Sequence, residues 1–274
     1  MDKGFSMLKI FSKNRNNADS SILMATTATL KNFNFAVYHE GKVESTQALA
    51  KNLYKEQPRD LIVIAKSQTK GVGKQTRPWM SCEGDAIFSL VFHPKGSSEE
   101  FAQLCFVMCL AVGRAIMRTA PHASIRYKWI NDLLLNGDKV AGILLELLED
   151  GALMIGVGVN LVARGDWQGL EATSLADNNI KVDRAEFIAE VLKQFDSLYD
   201  NWLKMGFLAV QNEWLRRAIG INGRISLRGV FGQIEGVFVN IDENGNLLLL
   251  ADGKIKVVGA GDMFFRGGKN YGKE

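Results

Sequence analysis

The chain has 274 residues, 47% of them hydrophobic, and a formal net charge of +3. That is enough apolar chain for one substantial core in one or two domains, and too little charge over such a length to define a nucleic-acid or membrane surface. Three cysteines, Cys82, Cys105 and Cys109, lack metal-type spacing beside a histidine, so neither a disulfide framework nor a zinc site is expected and the compartment reads as reducing.

Residues 1–32, polar and Asn-rich around SKNRNNADSS, read as a loosely ordered N-terminal segment. They hold no helix-turn-helix pattern, so no DNA partner is expected. SILMATTATL at 21–30 is too broken by threonine for a signal sequence. LCFVMCLAVGRAIM at 104–117 is interrupted by Arg114 and too short to cross a bilayer, which points to a cytoplasmic protein with no membrane partner.

A strand is predicted over FNFAVYHE (33–40), then a helix over STQALAKNLYKE (45–56) with Ser45 or Thr46 as its N-cap. Short apolar runs at 61–68 and 86–94 read as strands on either side of the segment SQTKGVGKQTRPWMS. Ser97 and Glu100 form a capping box for a helix reaching about Thr119. Within 124–161, the turns Asn136-Gly137 and Glu149-Asp150-Gly151 predict three consecutive antiparallel strands. Asp183 and Glu186 open a helix to about Lys204, and a further helical stretch covers 207–218. After Gly220 the texture becomes short β-rich runs divided by Asn-Gly and Asp-Gly, the pattern of a small β-barrel or sandwich. The fold class is therefore α+β: a mixed central sheet packed with helices over 33–219, and a small C-terminal β-barrel domain over 220–274.

The loop at 67–81 places Lys70, Lys74 and Arg77 around Gly71 and Gly73 with no acid among them. It is either a grip for an anion or a solvated turn. A strand follows it, whereas a Walker phosphate loop and a dinucleotide fingerprint both need a helix there. In RYKWINDLLL, the polar Lys128, Asn131 and Asp132 interrupt an apolar run, and Lys139 begins the returning strand. Asp132 and Lys139 can meet across the hairpin, as a structural ion pair or as part of an active site. Gly142, Gly156 and Gly158 clear space inside strands, and Asn160 ends one with an amide. Together with hydroxyls at a helix start and Gln68 before the loop, this set suits an acid with a polar head group whose carboxylate must meet a nucleotide phosphate. Two anions then need cationic side chains, usually Mg²⁺, and a loop that excludes water from a mixed anhydride.

These motifs resemble those of the biotin protein ligases over roughly 33–265. ESTQ (44–47) resembles the family's Ser-Thr-Asn segment, and QTKGVGKQTRPW (68–79) its Gln-x-x-Gly-Arg-Gly-Arg-x-Gly-Arg-x-Trp loop. KWINDL (128–133) resembles Lys-Trp-Pro-Asn-Asp, KVAGIL (139–144) resembles Lys-x-x-Gly-Ile-Leu, and GVGVN (156–160) matches Gly-x-Gly-x-Asn. The resemblance implies the class II synthetase-like biotin/lipoate ligase fold. It also implies an enzyme that makes biotinyl-AMP from biotin and ATP with Mg²⁺, then moves the biotinyl group to a lysine of a biotin carboxyl carrier protein of acetyl-CoA carboxylase or a related carboxylase. It leaves room for a homodimer. By the same resemblance Ser45, Thr46, Gln68, Gly71, Gly73, Lys139 and Gly142 would hold biotin. Lys74, Arg77, Trp79, Asn131 and Asn160 would hold ATP and the adenylate. Lys139, Asp132 and Arg77 would act in catalysis, with the metal ligands unassigned.

Val72 and Lys74 stand where the family has arginines, Thr76 where it has a glycine and Ile130 where it has a proline. These departures imply a looser hold on biotinyl-AMP. The rival readings are a lipoate-protein ligase of the same fold and a non-catalytic nucleic-acid-binding module using the basic loop.

Overall fold

The computed structural model describes residues 25–265 apart from 166, 168, 169, 230 and 231. In chain order, β1 (Ala25–Thr29) and β2 (Asn34–Val43) precede α1 (Thr46–Glu56). Strand β3 (Leu61–Gln68), the two-residue strands β4 (Gly71–Val72) and β5 (Pro78–Trp79), and β6 (Ala86–Phe92) lead to α2 (Gln103–Thr119). Next come β7 (Ile125–Lys128), β8 (Asp132–Leu135), β9 (Asp138–Leu147) and β10 (Leu153–Val159), then α3 (Arg184–Met205) and α4 (Phe207–Leu215). A second group closes the described chain: β11 (Arg224–Gly229), β12 (Gly232–Ile241), β13 (Leu247–Ala251), β14 (Lys254–Val258) and β15 (Asp262–Phe265).

Eight strands form one mixed sheet in the order β1-β2-β3-β6-β10-β9-β8-β7, in which β2 and β3 run parallel across the α1 connection. The predicted three-strand run is β8, β9 and β10, antiparallel throughout. Its first turn puts both Asn136 (φ 53°) and Gly137 (φ 94°) at positive φ, as a two-residue hairpin loop requires. The five C-terminal strands are antiparallel in the order β14-β13-β12-β11-β15. Closure into a barrel is not among their pairings in the described residues.

Why the sheet is buried on both faces is visible in β3. Ile62 and Ile64 point into the large core with α2 and α3, while Leu61 and Val63 point to the opposite face, where Ala50 and Tyr54 of α1 cover them. Strand β10 follows the same period of two: Leu153, Ile155, Val157 and Val159 belong to the large core, so Gly156 and Gly158 fall on the other face. Helix α1 covers only part of that face. The open part, beyond its N-terminus, is where the site lies.

Residues 25–32, expected as part of a loose lead-in, are instead ordered. Strand β1 pairs with β2 in five register steps, and the backbone N–H groups of Lys31 and Asn32 donate to the Asp196 carboxylate of α3 at 3.1 and 2.9 Å. Phe33 then stacks among Phe35, Phe92, Phe195 and Tyr199. The remainder of that segment, residues 1–24, lies outside the described residues. The Ser97–Glu100 capping box is present, but it caps a single 3₁₀ turn and α2 starts only at Gln103. Helix α4 ends at Leu215, short of the expected 218, because Arg217 and Ile219 are taken up by backbone hydrogen bonds to Tyr127 of β7. Among the described residues no helix is long and apolar enough to cross a membrane.

Trp214 sits fully buried at the junction, edge-on to Phe106 at 5.1 Å and stacked with Tyr127 at 6.1 Å. Its indole N–H has no hydrogen-bond partner. Trp214→Ala is expected to lower unfolding stability by about 3–5 kcal/mol in urea titrations. Trp214→Phe, which removes a buried unpaired donor and keeps a ring, should cost less than about 1.5 kcal/mol.

Candidate active site

The open face holds a cavity of about 510 Å³. Its walls come from the start of α1, the loop 72–80, the pocket faces of β8, β9 and β10, and the turn before β15. At one end polar groups are buried. Thr46 is 3% exposed; its N–H donates to Gln68 Oε1 at 3.1 Å and its Oγ1 accepts from Ser89 at 2.8 Å. Ser45 is the N-cap of α1, accepting from the Ala48 N–H, and the helix N-terminus it marks adds a positive end dipole to this wall. Such an end suits a small polar ring that needs donors and acceptors out of water.

The middle is shaped by glycine. Gly142 and Gly158 are direct cross-strand partners, and the Trp79 indole lies across both: a Cβ on Gly158 would come within 2.5 Å of the ring, and one on Gly142 within 2.9 Å. A Cβ on Gly156 would come within 2.7 Å of Gln47. The glycines thus make slots for side chains of this chain, Trp79 and Gln47, which in turn form the cavity wall.

Lys139 reaches the floor beside Trp79, its Nζ 2.6 Å from the Asp132 carboxylate and 5.4 Å from the indole centre. A bulge allows this. After Leu135↔Asp138 and Leu134↔Lys139 the register shifts, so that Asp132 pairs with Gly142. The extra residue puts Lys139 and Gly142, an odd number apart, on one face, where a Gly142 Cβ would touch Nζ at 3.5 Å. The turn between β7 and β8, with a cis Trp129–Ile130 peptide, is tied down by Asn131, whose Nδ2 donates to the Ile143 carbonyl at 2.8 Å.

Cations face Lys139 from two sides. Burial holds the Lys74 and Lys128 ammonium groups below the usual lysine range, with Asp262 and Asp132 respectively opposing that shift. A phosphate brought between them would favour their protonated forms. Lys74 Nζ donates to the Gly261 carbonyl, Arg77 pairs with Asp262 at 2.8 Å, and both reach across from the loop to the C-terminal sheet. Asn160 is 4% exposed, its Nδ2 donating to the Thr173 carbonyl at 3.0 Å. Its Oδ1 accepts from Arg164, which is ion-paired to the buried Asp85 and stacked 4.4 Å over Trp167.

The structure therefore brings Ser45, Thr46, Gln68, Gly73, Lys74, Arg77, Trp79, Asn131, Asp132, Lys139, Gly142 and Asn160 to one cavity. Gly71 is the exception. It stands behind the wall, where a Cβ would collide with the Gln68 amide at 2.5 Å, so it permits the close packing of Gln68 instead of facing the cavity. Sequence reasoning assigned no role to Lys128, Arg164 or Asp262. Lys128 was visible as a polar interruption, whereas nothing local marks Arg164 or Asp262 as neighbours of the loop.

Residues 41–160 match the Biotin/lipoate A/B protein ligase family, and residues 221–266 the biotin protein ligase C-terminal domain. The biotin--[acetyl-CoA-carboxylase] ligase of Paracoccus denitrificans is 33% identical over 237 residues, covering 82% of this chain and 99% of that protein. The bifunctional ligase/repressor BirA of Bacillus subtilis is 32% identical over 83% of this chain and 73% of its own length. The biotin protein ligase of Aquifex aeolicus, solved with biotin and ATP, superposes with a TM-score of 0.73 at 29% identity, covering 83% of this chain and 97% of that one. The chain belongs to the biotin/lipoate protein ligase family, within its biotin protein ligase branch.

Proposed function

We infer that the chain is an ATP-dependent biotin protein ligase: it activates biotin as biotinyl-5′-AMP and transfers the biotinyl group to a lysine of a biotin carboxyl carrier protein. The observation that carries the mechanism is the position of Lys139, paired with Asp132 on a cavity floor between a buried polar end and a basic loop.

In the first step a biotin carboxylate oxygen bonds to the α-phosphorus of ATP and pyrophosphate leaves. Ser45, Thr46 and Gln68 hold the ureido head, and the carboxylate at the far end of the valeryl chain meets Lys139. Charge accumulates on the α-phosphate oxygens as the bond forms, and Lys139, with Lys128, Lys74 and Arg77 around it, offsets that charge where water is scarce. Asn131 and Asn160 stay engaged with backbone carbonyls and fix the walls near the phosphate. In the second step the acceptor amine attacks the anhydride carbonyl, the C–O bond to phosphate breaks and AMP departs. Asp132 orients the amine and takes its proton.

Mg²⁺ bound with the nucleotide would supply further charge screening. Among the described residues no group of three His, Cys, Asp or Glu side chains is set to cage a metal. Of the cavity carboxylates Asp132, Glu171 and Asp262, Asp132 and Asp262 carry basic partners. Asp132, Asp262 and Glu171 are the cavity oxygens that would face such an ion. The three cysteines are free thiols.

The reading is tested by transfer of labelled biotin, with ATP, to a carrier domain of acetyl-CoA carboxylase, alongside pyrophosphate exchange run separately with biotin and with lipoate. Label on the carrier and exchange dependent on biotin are expected. Exchange supported by lipoate alone would move the chain to the sister activity.

A further inference from the structure

The loop that carries Lys74 and Arg77 is shut in this structure, and two features oppose each other in keeping it so. At its tip Gln75 (φ 56°, ψ 39°) and Thr76 (φ 59°) are successive non-glycine residues in the left-handed region. A β-branched threonine there is disfavoured by clash of its Cβ substituents with the backbone, at the position where the motif of the resembled family has glycine. The tip therefore resists the conformation it holds. Against that, Arg77 donates to the Asp262 carboxylate at 2.8 Å, Lys74 Nζ lies 3.9 Å from the same carboxylate and bonds the preceding Gly261 carbonyl, and Lys74 also sits 5.7 Å over the Trp129 ring.

We propose that Asp262 is a positioning residue of the adenylation site, a latch on the C-terminal sheet that holds the 71–79 loop closed against the strain at its tip and so sets how long biotinyl-AMP is retained. It does not simply occupy the place of the phosphate. An arginine has five N–H donors, of which Arg77 spends one on Asp262 and its Nε–H on the Lys74 carbonyl, and a lysine has three, of which one from Lys74 goes to Gly261. Both side chains line the cavity, so each can hold the latch and an α-phosphate together. Two weakly opposed contributions make the closed state adjustable from either side: loss of the carboxylate opens the loop, and relief of the left-handed threonine closes it.

The proposal rests on the ligase reading, and the experiment separates the two. Asp262→Asn, Asp262→Glu and Thr76→Gly are compared with the unaltered chain in three measurements: trypsin cleavage after Lys74 in the ligand-free protein, dissociation of preformed biotinyl-AMP, and pyrophosphate exchange as KM for ATP against kcat. Asp262→Asn should release the adenylate about tenfold faster, equivalent to about 1.4 kcal/mol, be cut sooner, and raise KM more than it lowers kcat. Asp262→Glu should regain most of the retention. Thr76→Gly should slow release about threefold and undo part of the Asp262→Asn effect. Adenylate release from Asp262→Asn at or below the rate of the unaltered chain overturns the latch. An unaltered chain that makes no biotinyl-AMP sinks the ligase reading instead, and the trypsin comparison still judges the latch. Should thermal unfolding show that Asp262→Asn is not folded, Thr76→Gly alone decides: release and cleavage equal to those of the unaltered chain overturn the proposal.

Discussion

Lys139→Ala is expected to lower biotin-dependent pyrophosphate exchange by about 10³-fold, roughly 4 kcal/mol of transition-state stabilisation. The size follows from position. Lys139 stands on the cavity floor against Asp132 and Trp79, where the proposed reaction brings carboxylate and nucleotide together, and its charge would be needed most when the phosphate oxygens gain charge. Part of the loss has a second cause, because Asp132 is left as an unpaired anion facing two incoming anions. The double variant Lys139→Ala with Asp132→Asn should therefore recover about tenfold in exchange while remaining unable to speed aminolysis. Circular dichroism and melting temperature should stay near those of the unaltered chain, since the pair is partly exposed and on the cavity floor. Exchange within tenfold of the unaltered chain would remove Lys139 from the mechanism.

Gly158→Val is expected to cost about 10²-fold in kcat/KM without unfolding the protein. The Cβ alone would stand 2.5 Å from the Trp79 indole, and two further methyl groups leave the ring no slot between Gly158 and Gly142. Trp79 ends the glycine loop as part of β5, so moving it misplaces Lys74 and Arg77 together. Adding Trp79→Ala to Gly158→Val should bring little extra loss, because both changes act through the same ring. Gly41→Ala, on β2 with nothing within 4 Å of the added Cβ, should keep full activity. A Gly158→Val enzyme with unaltered kinetics would show that the slot has no bearing on the loop.

The strands of 124–161 were legible because they carried local markers. The apolar run from Leu153 to Val157, bounded by the turn at Glu149-Asp150-Gly151, and the Asn136-Gly137 turn are local features that burial and backbone geometry enforce. Cavity-lining side chains were legible where polarity contradicted context, as at Asp132 and Lys139. Purely tertiary information was hidden. The glycines of GVGVN read as clearance for a ligand, yet they clear space for Trp79 and Gln47, and only the folded chain shows which ring arrives there. The bulge before Lys139 has no residue signature. Asp262 lies 185 positions from Arg77 in sequence, so no window could have paired them. Residues 25–32 looked loose because TTAT and Asn32 are polar, but an edge strand needs only one buried face, here Ala28, with Lys31 and Asn32 anchored on Asp196.

The turn at 241–245 accepts three hydrogen bonds from side chains rooted in the other half of the molecule: Gln211 to Ile241, Gln103 to Glu243 and Trp129 to Gly245. Grafting the C-terminal strands of a relative onto this chain would strand those three amides and indoles unless the recipient's turn presented its carbonyls at matching points. The two halves are thus welded, and a chimera made at residue 220 should melt earlier than either parent even though each sheet keeps its own strands.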